Sequence, residues 1–267
     1  LLLPDAQGHY DDASSTPLNE NGFMHVYHAF DAPVTSFRLA VQGDVEGSVA
    51  ELYVFGQGDL PAWVQRWEPP HKDCQMMLVP THADDEHLFF GGTMPYYAGE
   101  LGLKLQVVYL THHGIGRTHE LLNGLWTVGI TAYPEIGPFE DIYCSDYKEA
   151  QRTYDEASVL GYLVEQIRRF QPEVIIGHDL NGEYGHGAHI MNARNLTEAV
   201  AIAHDQSQFP VSAEKYGAFQ AQKLYLHLFE QNRITMPWRE MRLSAFGGKT
   251  AFQMAEEGVA KHVSQQG

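Results

Sequence analysis

The stretch Pro80-Thr81-His82-Ala83-Asp84-Asp85-Glu86 follows the apolar run Met76-Met77-Leu78-Val79 and precedes a longer apolar segment that runs from His87 to about Leu103. That order predicts a buried strand, a tight polar turn and a helix. One imidazole and three carboxylates therefore crowd one strand-to-helix corner. Groups of that polarity are costly to gather beside a core unless something pairs with them. A divalent metal is the simplest partner. His82 and Asp85 are ligand types that zinc accepts, which leaves Asp84 free to act as a base. A plain helix N-terminus, where acidic groups complement the dipole and cap free amides, explains Asp84, Asp85 or Glu86 singly. It does not explain His82 in the turn ahead of them.

Outward from this corner the chain alternates strand and helix. Residues 75–79, 105–110 and 173–176 read as strands, and residues 86–100, 117–128, 147–170 and 187–204 as helices. In the third helix Ala157, Leu160, Val164 and Ile167 recur at three- and four-residue spacing and predict one buried face. Strands separated by helices predict an α/β architecture, a mostly parallel sheet with crossover helices. Sites in such sheets lie at the carboxyl ends of strands. Three polar clusters fall at those ends: residues 82–86, 111–120 and 178–189.

Ahead of this unit, residues 1–33 are rich in Pro, Asp, Asn, Ser and Gly and read as an arm. Residues 34–42 and 48–55 alternate apolar and polar side chains, which predicts a short N-terminal β extension joined through Gly43-Asp44 and Gly47. The expected division is residues 1–70 for the arm and hairpin, and residues 71–267 for the α/β domain.

Composition narrows the function classes. With 267 residues, 44% of them hydrophobic, the chain can bury a substantial core. Two cysteines, Cys74 and Cys144, exclude a disulfide scaffold and a multi-cysteine zinc site. Fifteen histidines keep imidazole ligation open. A formal charge of −17 disfavours nucleic acid and anionic membrane surfaces as partners. No apolar run approaches the length of a membrane span. The chain starts Leu1-Leu2-Leu3-Pro4, and its compartment stays open between cytoplasm and secretion.

A second cluster, Gly182-Glu183-Tyr184-Gly185-His186-Gly187-Ala188-His189, brings two histidines to the start of the fourth helix. A catalytic zinc takes three protein ligands and keeps one position open. His82, Asp85 and one of His186 or His189 supply that set. The third cluster, Thr111 to Glu120, holds His112, His113 and His119 without a distinguishing spacing. It reads as a polar loop entering a helix, with Arg117 and Glu120 placed to pair with each other. Tyr96, Tyr97, Trp126 and Tyr133 are candidates for an aromatic entrance.

These motifs resemble those of the PIG-L/LmbE-like de-N-acetylase family. Thr81-His82-Ala83-Asp84-Asp85-Glu86 is similar to its His-Pro-Asp-Asp-Glu signature. Tyr184-Gly185-His186-Gly187-Ala188-His189 is similar to its Tyr-Gly-His-Pro-Asp-His motif. Arg117-x-x-Glu120 resembles its Arg-x-x-Glu helix, and His262-Val263-Ser264-Gln265 its His-x-Ser-Gln close. The resemblance implies a Rossmann-like α/β fold and a zinc-dependent amide hydrolase, with another divalent metal as the alternative ion. It implies His82, Asp85 and His189 as metal ligands and Asp84 as general base. His186 becomes the electrostatic partner or general acid, Tyr184 a group that polarises the substrate carbonyl, and Arg117 a substrate contact. The implied substrate is an N-acetylated sugar or glycoconjugate. Two positions depart from the pattern: Ala83 stands where proline is usual and Ala188 where aspartate is usual. Without that aspartate His186 is expected to be less basic.

The chemistry of the residues agrees with that assignment. Amide hydrolysis needs an activated water, a stabilised oxyanion and a proton for the amine. A zinc ion, Asp84 and His186 would supply them, with Glu86 in a supporting role. Two rival readings keep the same residues: an amidase acting on a larger acyl group or a thiol conjugate, and a non-catalytic carbohydrate-binding protein with a relic site.

Overall fold

Met76–Val79 forms strand β1, with all four side chains buried. A computed structural model describes residues 1–12, 15–41 and 47–266 of the chain. Helix α1, Asp85–Leu88, follows the polar corner. It stops well short of the predicted residue 100. Gly91-Gly92 and Pro95 interrupt it, and the segment resumes as a single wide turn over Pro95–Glu100. Strand β2, Leu105–Val107, comes next, then β3, Thr111–His112, helix α2, Ile115–Thr127, and β4, Phe139–Glu140.

The predicted helix over 147–170 is two helices, α3 (Tyr147–Thr153) and α4 (Glu156–Phe170). Tyr154 between them is extended, and Asp155 caps α4 by accepting the Ser158 backbone N–H at 2.9 Å. The buried face of α4 runs through Val159, Leu163, Val164, Ile167 and Phe170. Ala157 is exposed and Leu160 half-buried, so the real stripe is rotated from the predicted one. Strand β5 is Val174–Gly177, helix α5 Gly187–Ile202, helix α6 Pro210–Tyr216, strand β6 Lys223–Leu226 and helix α7 Ala251–Val259.

The main sheet has the order β2-β1-β5-β6, and every pairing is parallel. The mixed α/β architecture with a mostly parallel sheet is thus as the sequence predicts. Strand β6 and helices α6 and α7 lay outside the predicted elements. Because β1 lies between β2 and β5, the chain leaves it in one direction and returns on the other side. That reversal opens a crevice at the carboxyl ends of β1 and β5. The register sets what faces it. Val79 pairs with Gly177, so the turn after β1 lies beside the segment after β5. The ladder continues past β2: the amides of Leu110 and Thr111 donate to the carbonyls of Pro80 and Thr81 at 3.1 Å each.

The core beneath the crevice joins Met77, Val79, Leu110 and Ile175 of the sheet side to Val164, Ile167, Met191 and Leu196 of α4 and α5. No helix among the described residues is long and apolar enough to cross a membrane. Cys74 and Cys144 are buried free thiols.

The chain divides into two compact units, Leu1–Trp67 and Glu68–Gly267. The first carries a correction. Among its described residues there is no strand; backbone pairing is limited to the isolated bridges Leu2 with Arg38 and Pro4 with Tyr10. Val41, Val49, Leu52, Tyr53 and Val54 are exposed. Among the described residues the alternation of 34–41 and 48–55 therefore buries no apolar face, and a lone hairpin without such a face is not stable in water. The proposed connection Gly43-Asp44 lies outside the described residues.

One glycine fixes the entry to α5. A Cβ at Gly187 would lie 1.9 Å from the Asp146 carbonyl oxygen, and its amide donates to the Cys144 carbonyl at 2.8 Å. Both neighbours are backbone or tied to it, so they cannot yield cheaply. Gly187→Ala is expected to lower stability by at least ~1–3 kcal/mol, read as a shift in denaturant midpoint. A midpoint equal to that of the wild type would show that this approach does not fix α5.

Candidate metal centre

The turn after β1 is pinned from three directions before any ligand is considered. The Thr81 carbonyl accepts the Thr111 hydroxyl at 2.8 Å, and the Thr81 hydroxyl accepts the Asn192 amide of α5 at 2.9 Å. The Thr81 backbone N–H donates to His178 Nε2 at 3.0 Å. From this fixed turn His82 and Asp85 project inward. Asp85 Oδ2 accepts the His82 backbone N–H at 2.7 Å. From α5, His189 reaches the same point.

Three atoms then form a nearly equilateral triangle. His82 Nδ1 lies 3.2 Å from Asp85 Oδ2 and 3.1 Å from His189 Nε2, and His189 Nε2 lies 3.2 Å from Asp85 Oδ2. Ligands held at 2.0–2.1 Å around a tetrahedral zinc would stand about 3.3 Å apart. The donor set fits such an ion: two imidazole nitrogens and one carboxylate oxygen, all buried. His82, Asp85 and His189 thus converge as one face of a site, while the fourth direction stays free for a small ligand. Without a cation, a proton takes up the excess negative charge. Burial alone would lower the His189 pKa, but Asp85 and Glu183 overcome it and raise it to about 9. Burial would raise the Asp85 carboxyl, yet His189 and His82 hold it well below the usual range. A divalent ion would displace that proton.

His82 and His189 each have a carboxylate behind them. Glu183 Oε2 accepts from His189 Nδ1 at 2.8 Å and from His178 Nδ1 at 2.7 Å. Glu183 Oε1 accepts from His227 Nδ1 at 2.8 Å and from the Asp179 amide at 3.2 Å. Burial works to raise the Glu183 carboxyl, but the His178, His189 and His227 donors drive it far below its ordinary value. The bond to Nδ1 fixes the His189 tautomer that leaves Nε2 as a lone-pair donor. Behind His82 stands Asp141, whose Oδ1 is 3.6 Å from Nε2. Asp141 also binds His113 Nδ1 at 3.2 Å and the Arg117 guanidinium. His113 in turn accepts the Ala83 amide at 3.2 Å.

Asp84 is next to the triangle in a strained conformation, φ 111 and ψ −30. A non-glycine residue there costs roughly 1–3 kcal/mol unless its surroundings hold it. Glu86 Oε2 does so, accepting the Asp84 amide at 2.8 Å. Burial, then the charges of Asp85 and Glu86, raise the Asp84 carboxyl to about 7 against the pull of Arg117. Arg117 lies 3.8 Å from Asp84 Oδ1 and donates to the Ala83 carbonyl at 2.9 Å. It does not pair with Glu120, as its spacing suggested. Glu120 instead accepts the Ser264 amide at 2.9 Å and the Ser264 hydroxyl at 2.6 Å.

His186 is the N-cap of α5, where its Nδ1 accepts the Ala188 amide at 3.2 Å. That bond places the ring proton on Nε2. Burial, with His189 and His82 close by, lowers its pKa to about 3, so the ring is neutral. It stacks on His189 at 4.5 Å between centroids. Two exposed rings flank it: Tyr143 at 4.9 Å and Tyr184 at 5.7 Å. Tyr184 has φ 46, and burial, followed by Asp85 and Asp84, raises its phenol to about 12. Tyr96 and Tyr97 pack instead against Trp238, at 5.9 and 6.5 Å.

The structure therefore brings together His82, Asp85, His189, Asp84, His186, Tyr184 and Arg117. The sequence did not single out Glu183, Asp141, His113, His227 or Tyr143. Only Glu183 carried a signal, a carboxylate immediately ahead of the two histidines.

Comparison with known proteins gives a consistent picture. Residues 77–200 match the family model described as PIG-L, GlcNAc-PI de-N-acetylase. A protein of Nocardioides sp. named 1D-myo-inositol 2-acetamido-2-deoxy-alpha-D-glucopyranoside deacetylase is 28% identical over 222 residues, 68% of this chain and 70% of that protein. Its namesake in Acidothermus cellulolyticus is 28% identical over 159 residues, 49% of this chain and 54% of that protein. The matched stretch thus spans little more than half of this second relative. In fold, the chain is similar to N,N'-diacetylchitobiose deacetylase from Pyrococcus horikoshii, with a TM-score of 0.55 at 15% identity, over 74% of this chain and 73% of that one.

Loss of the carboxylate behind His189 should weaken metal binding without removing a ligand. Glu183→Gln is expected to reduce zinc affinity ~10–100-fold, measured by competition with a chromophoric chelator. Unchanged affinity would mean that Glu183 serves packing alone.

Proposed function

We propose, from the match of residues 77–200 to the PIG-L family model, that the chain is a metal-dependent hydrolase that removes the acetyl group from an N-acetylated amino sugar or glycoconjugate. The observation that carries this reading is the triangle of His82 Nδ1, Asp85 Oδ2 and His189 Nε2, 3.1–3.2 Å on a side, with the carboxylate of Asp84 next to it in sequence. A zinc ion, or another divalent ion of similar taste, held there would polarise the acetamide carbonyl and make a bound water acidic.

The chain's own residues divide the remaining work. Asp84 accepts the proton of the attacking water. With its pKa raised to about 7, it can hold that proton and return it to the departing amine. His186 stays neutral and offers Nε2–H as a hydrogen-bond donor to the oxygen on which negative charge develops, because its Nδ1 is occupied by the Ala188 amide. This reading gives His186 an electrostatic role and assigns both proton transfers to Asp84. Ala188 supports it: without a side-chain carboxylate at that position, only a backbone amide meets Nδ1, and burial with His189 and His82 outweighs the pull of Asp85 toward an imidazolium.

Tyr184 keeps its hydroxyl proton, which suits it to donate to the substrate. Tyr184 and Tyr143 present exposed rings on either side of His186, a pairing that suits the apolar face of a sugar. Arg117, bound to Asp141 and the Ala83 carbonyl, orients the turn beside Asp84. The names of the similar proteins, deacetylases of an acetamido glucopyranoside and of diacetylchitobiose, point to the same substrate class.

The test is acetate release from a panel of N-acetylated sugars, before and after chelation. Activity is expected to vanish on metal removal and return with zinc. Asp84→Asn is expected to lower kcat ~10²–10⁴-fold, and His186→Ala ~10²–10³-fold with little change in KM. Full activity in Asp84→Asn, or in chelated protein, would sink the mechanism. Turnover only of longer acyl chains would move the substrate class.

A further inference from the structure

A second set of ligand-type side chains lies behind the first, and the site above does not use it. Glu86, His87 and His262 are all buried; their side chains are 0%, 0% and 1% exposed. They come from α1 and from the turn after α7. His262 Nε2 is 3.0 Å and His87 Nε2 3.3 Å from the same atom, Glu86 Oε1. At those separations hydrogen bonds would be expected, yet the directions do not match. Glu86 Oε1 and both ring nitrogens of His87 and of His262 lack a hydrogen-bond partner among the described residues. Buried polar atoms left unpaired are costly to the fold. A cation shared by Glu86 Oε1 and the two Nε2 atoms would give those three a partner.

Two glycines admit the rings. A Cβ at Gly124 of α2 would sit 2.7 Å from His87 Nε2, 3.0 Å from His262 Nε2 and 3.3 Å from the Gly258 carbonyl oxygen, and one at Gly258 would sit 2.4 Å from His87 Nδ1. The absence of both methyl groups lets the two Nε2 atoms approach Glu86 Oε1. Two imidazoles, a carboxylate and a facing carbonyl are the donors that a zinc-type ion takes.

We propose that Glu86 Oε1, His87 Nε2 and His262 Nε2 hold a second divalent cation, in the cradle beside Gly124. The site is enclosed by α1, α2 and α7, which marks it as structural. Its link to the first centre is Glu86. While Oε1 faces the cradle, Oε2 accepts the Asp84 amide at 2.8 Å. An ion on one oxygen would fix the carboxylate that holds Asp84 at φ 111. His262 and the neighbouring Ser264, bonded to Glu120, then tie the C-terminal turn to the corner that carries Asp84.

The experiment is a zinc count on tag-free protein, reconstituted with zinc and dialysed, by elemental analysis per chain. Two ions are expected in the wild type and one in His262→Ala. Gly124→Ala, whose methyl group would press on both Nε2 atoms and which keeps every ligand, is also expected to hold one. His189→Ala should lose the other ion, so His189→Ala/Gly124→Ala should hold none. A wild-type count of one that is lost in His189→Ala overturns the second site and leaves the hydrolase centre standing. Two ions retained in Gly124→Ala also overturn it. If His262→Ala does not fold, the wild type and Gly124→Ala decide the matter.

Discussion

The Glu183 carboxylate is the interaction on which the rest of the site depends. Three imidazole N–H groups and one backbone amide converge on its two oxygens. A buried carboxylate is costly in isolation, and these four donors are what allow it to stay ionised inside the fold. They come from three places: His178 and Asp179 after β5, His189 on α5 and His227 after β6. One anion therefore gathers two strand ends and a helix start. It also determines chemistry. Because it takes the Nδ1 protons of His178 and His189, it leaves both Nε2 atoms as lone pairs. One of these accepts the Thr81 amide and fixes the turn after β1; the other completes the ligand triangle.

Asp141 repeats the arrangement on the opposite side, behind His82, with His113 and Arg117 as its other partners. The two carboxylates differ in reach: Glu183 holds His189 through a hydrogen bond at 2.8 Å, while Asp141 stands 3.6 Å from His82 Nε2, and each anion is balanced by further N–H donors. Asp85 is the contrasting case. It has no guanidinium or ammonium of its own, and its nearest ring nitrogens are those of His82 and His189. A divalent charge would supply what those rings cannot while neutral.

What the sequence made legible follows from how local each signal is. His82, Asp84 and Asp85 are consecutive with a buried strand, so the pattern of residues 76–86 places them at a strand end without any knowledge of the fold. His186 and His189 are legible for the same reason, at the other end of β5. Asp141 and His227 are not. Each sits in a loop of ordinary composition, and only the parallel pairings of β3 with β4 and of β5 with β6 bring those loops to the crevice. His113 lies in the visible polar cluster of residues 111–120, where no spacing sets it apart. The helix errors have equally local causes. An apolar run hides the Gly91-Gly92 break, and the single Asp155-x-x-Ser158 cap divides what periodicity joined. Residues 34–55 show the reverse. Strand-like alternation has meaning only when a core is there to receive one face, and among the described residues of that unit Val49, Leu52 and Val54 stay exposed.

Asp84 shows why the distant motifs are needed at all. A backbone at φ 111 is unfavourable for aspartate, so that conformation has to be imposed from outside. Glu86 imposes it through the Asp84 amide, Arg117 through the Ala83 carbonyl and His113 through the Ala83 amide. Ala83, standing where a proline would stiffen the turn, has an N–H to give, and His113 receives it. The lost ring constraint is offset by a hydrogen bond that proline could not make. Glu86 in turn faces His262, and Ser264 is held by Glu120 of the helix that carries Arg117. The Arg-x-x-Glu helix and the His-x-Ser-Gln close are thus parts of one brace. Its strain-bearing end is the residue that would move the proton, and its far end is the last turn of the described chain.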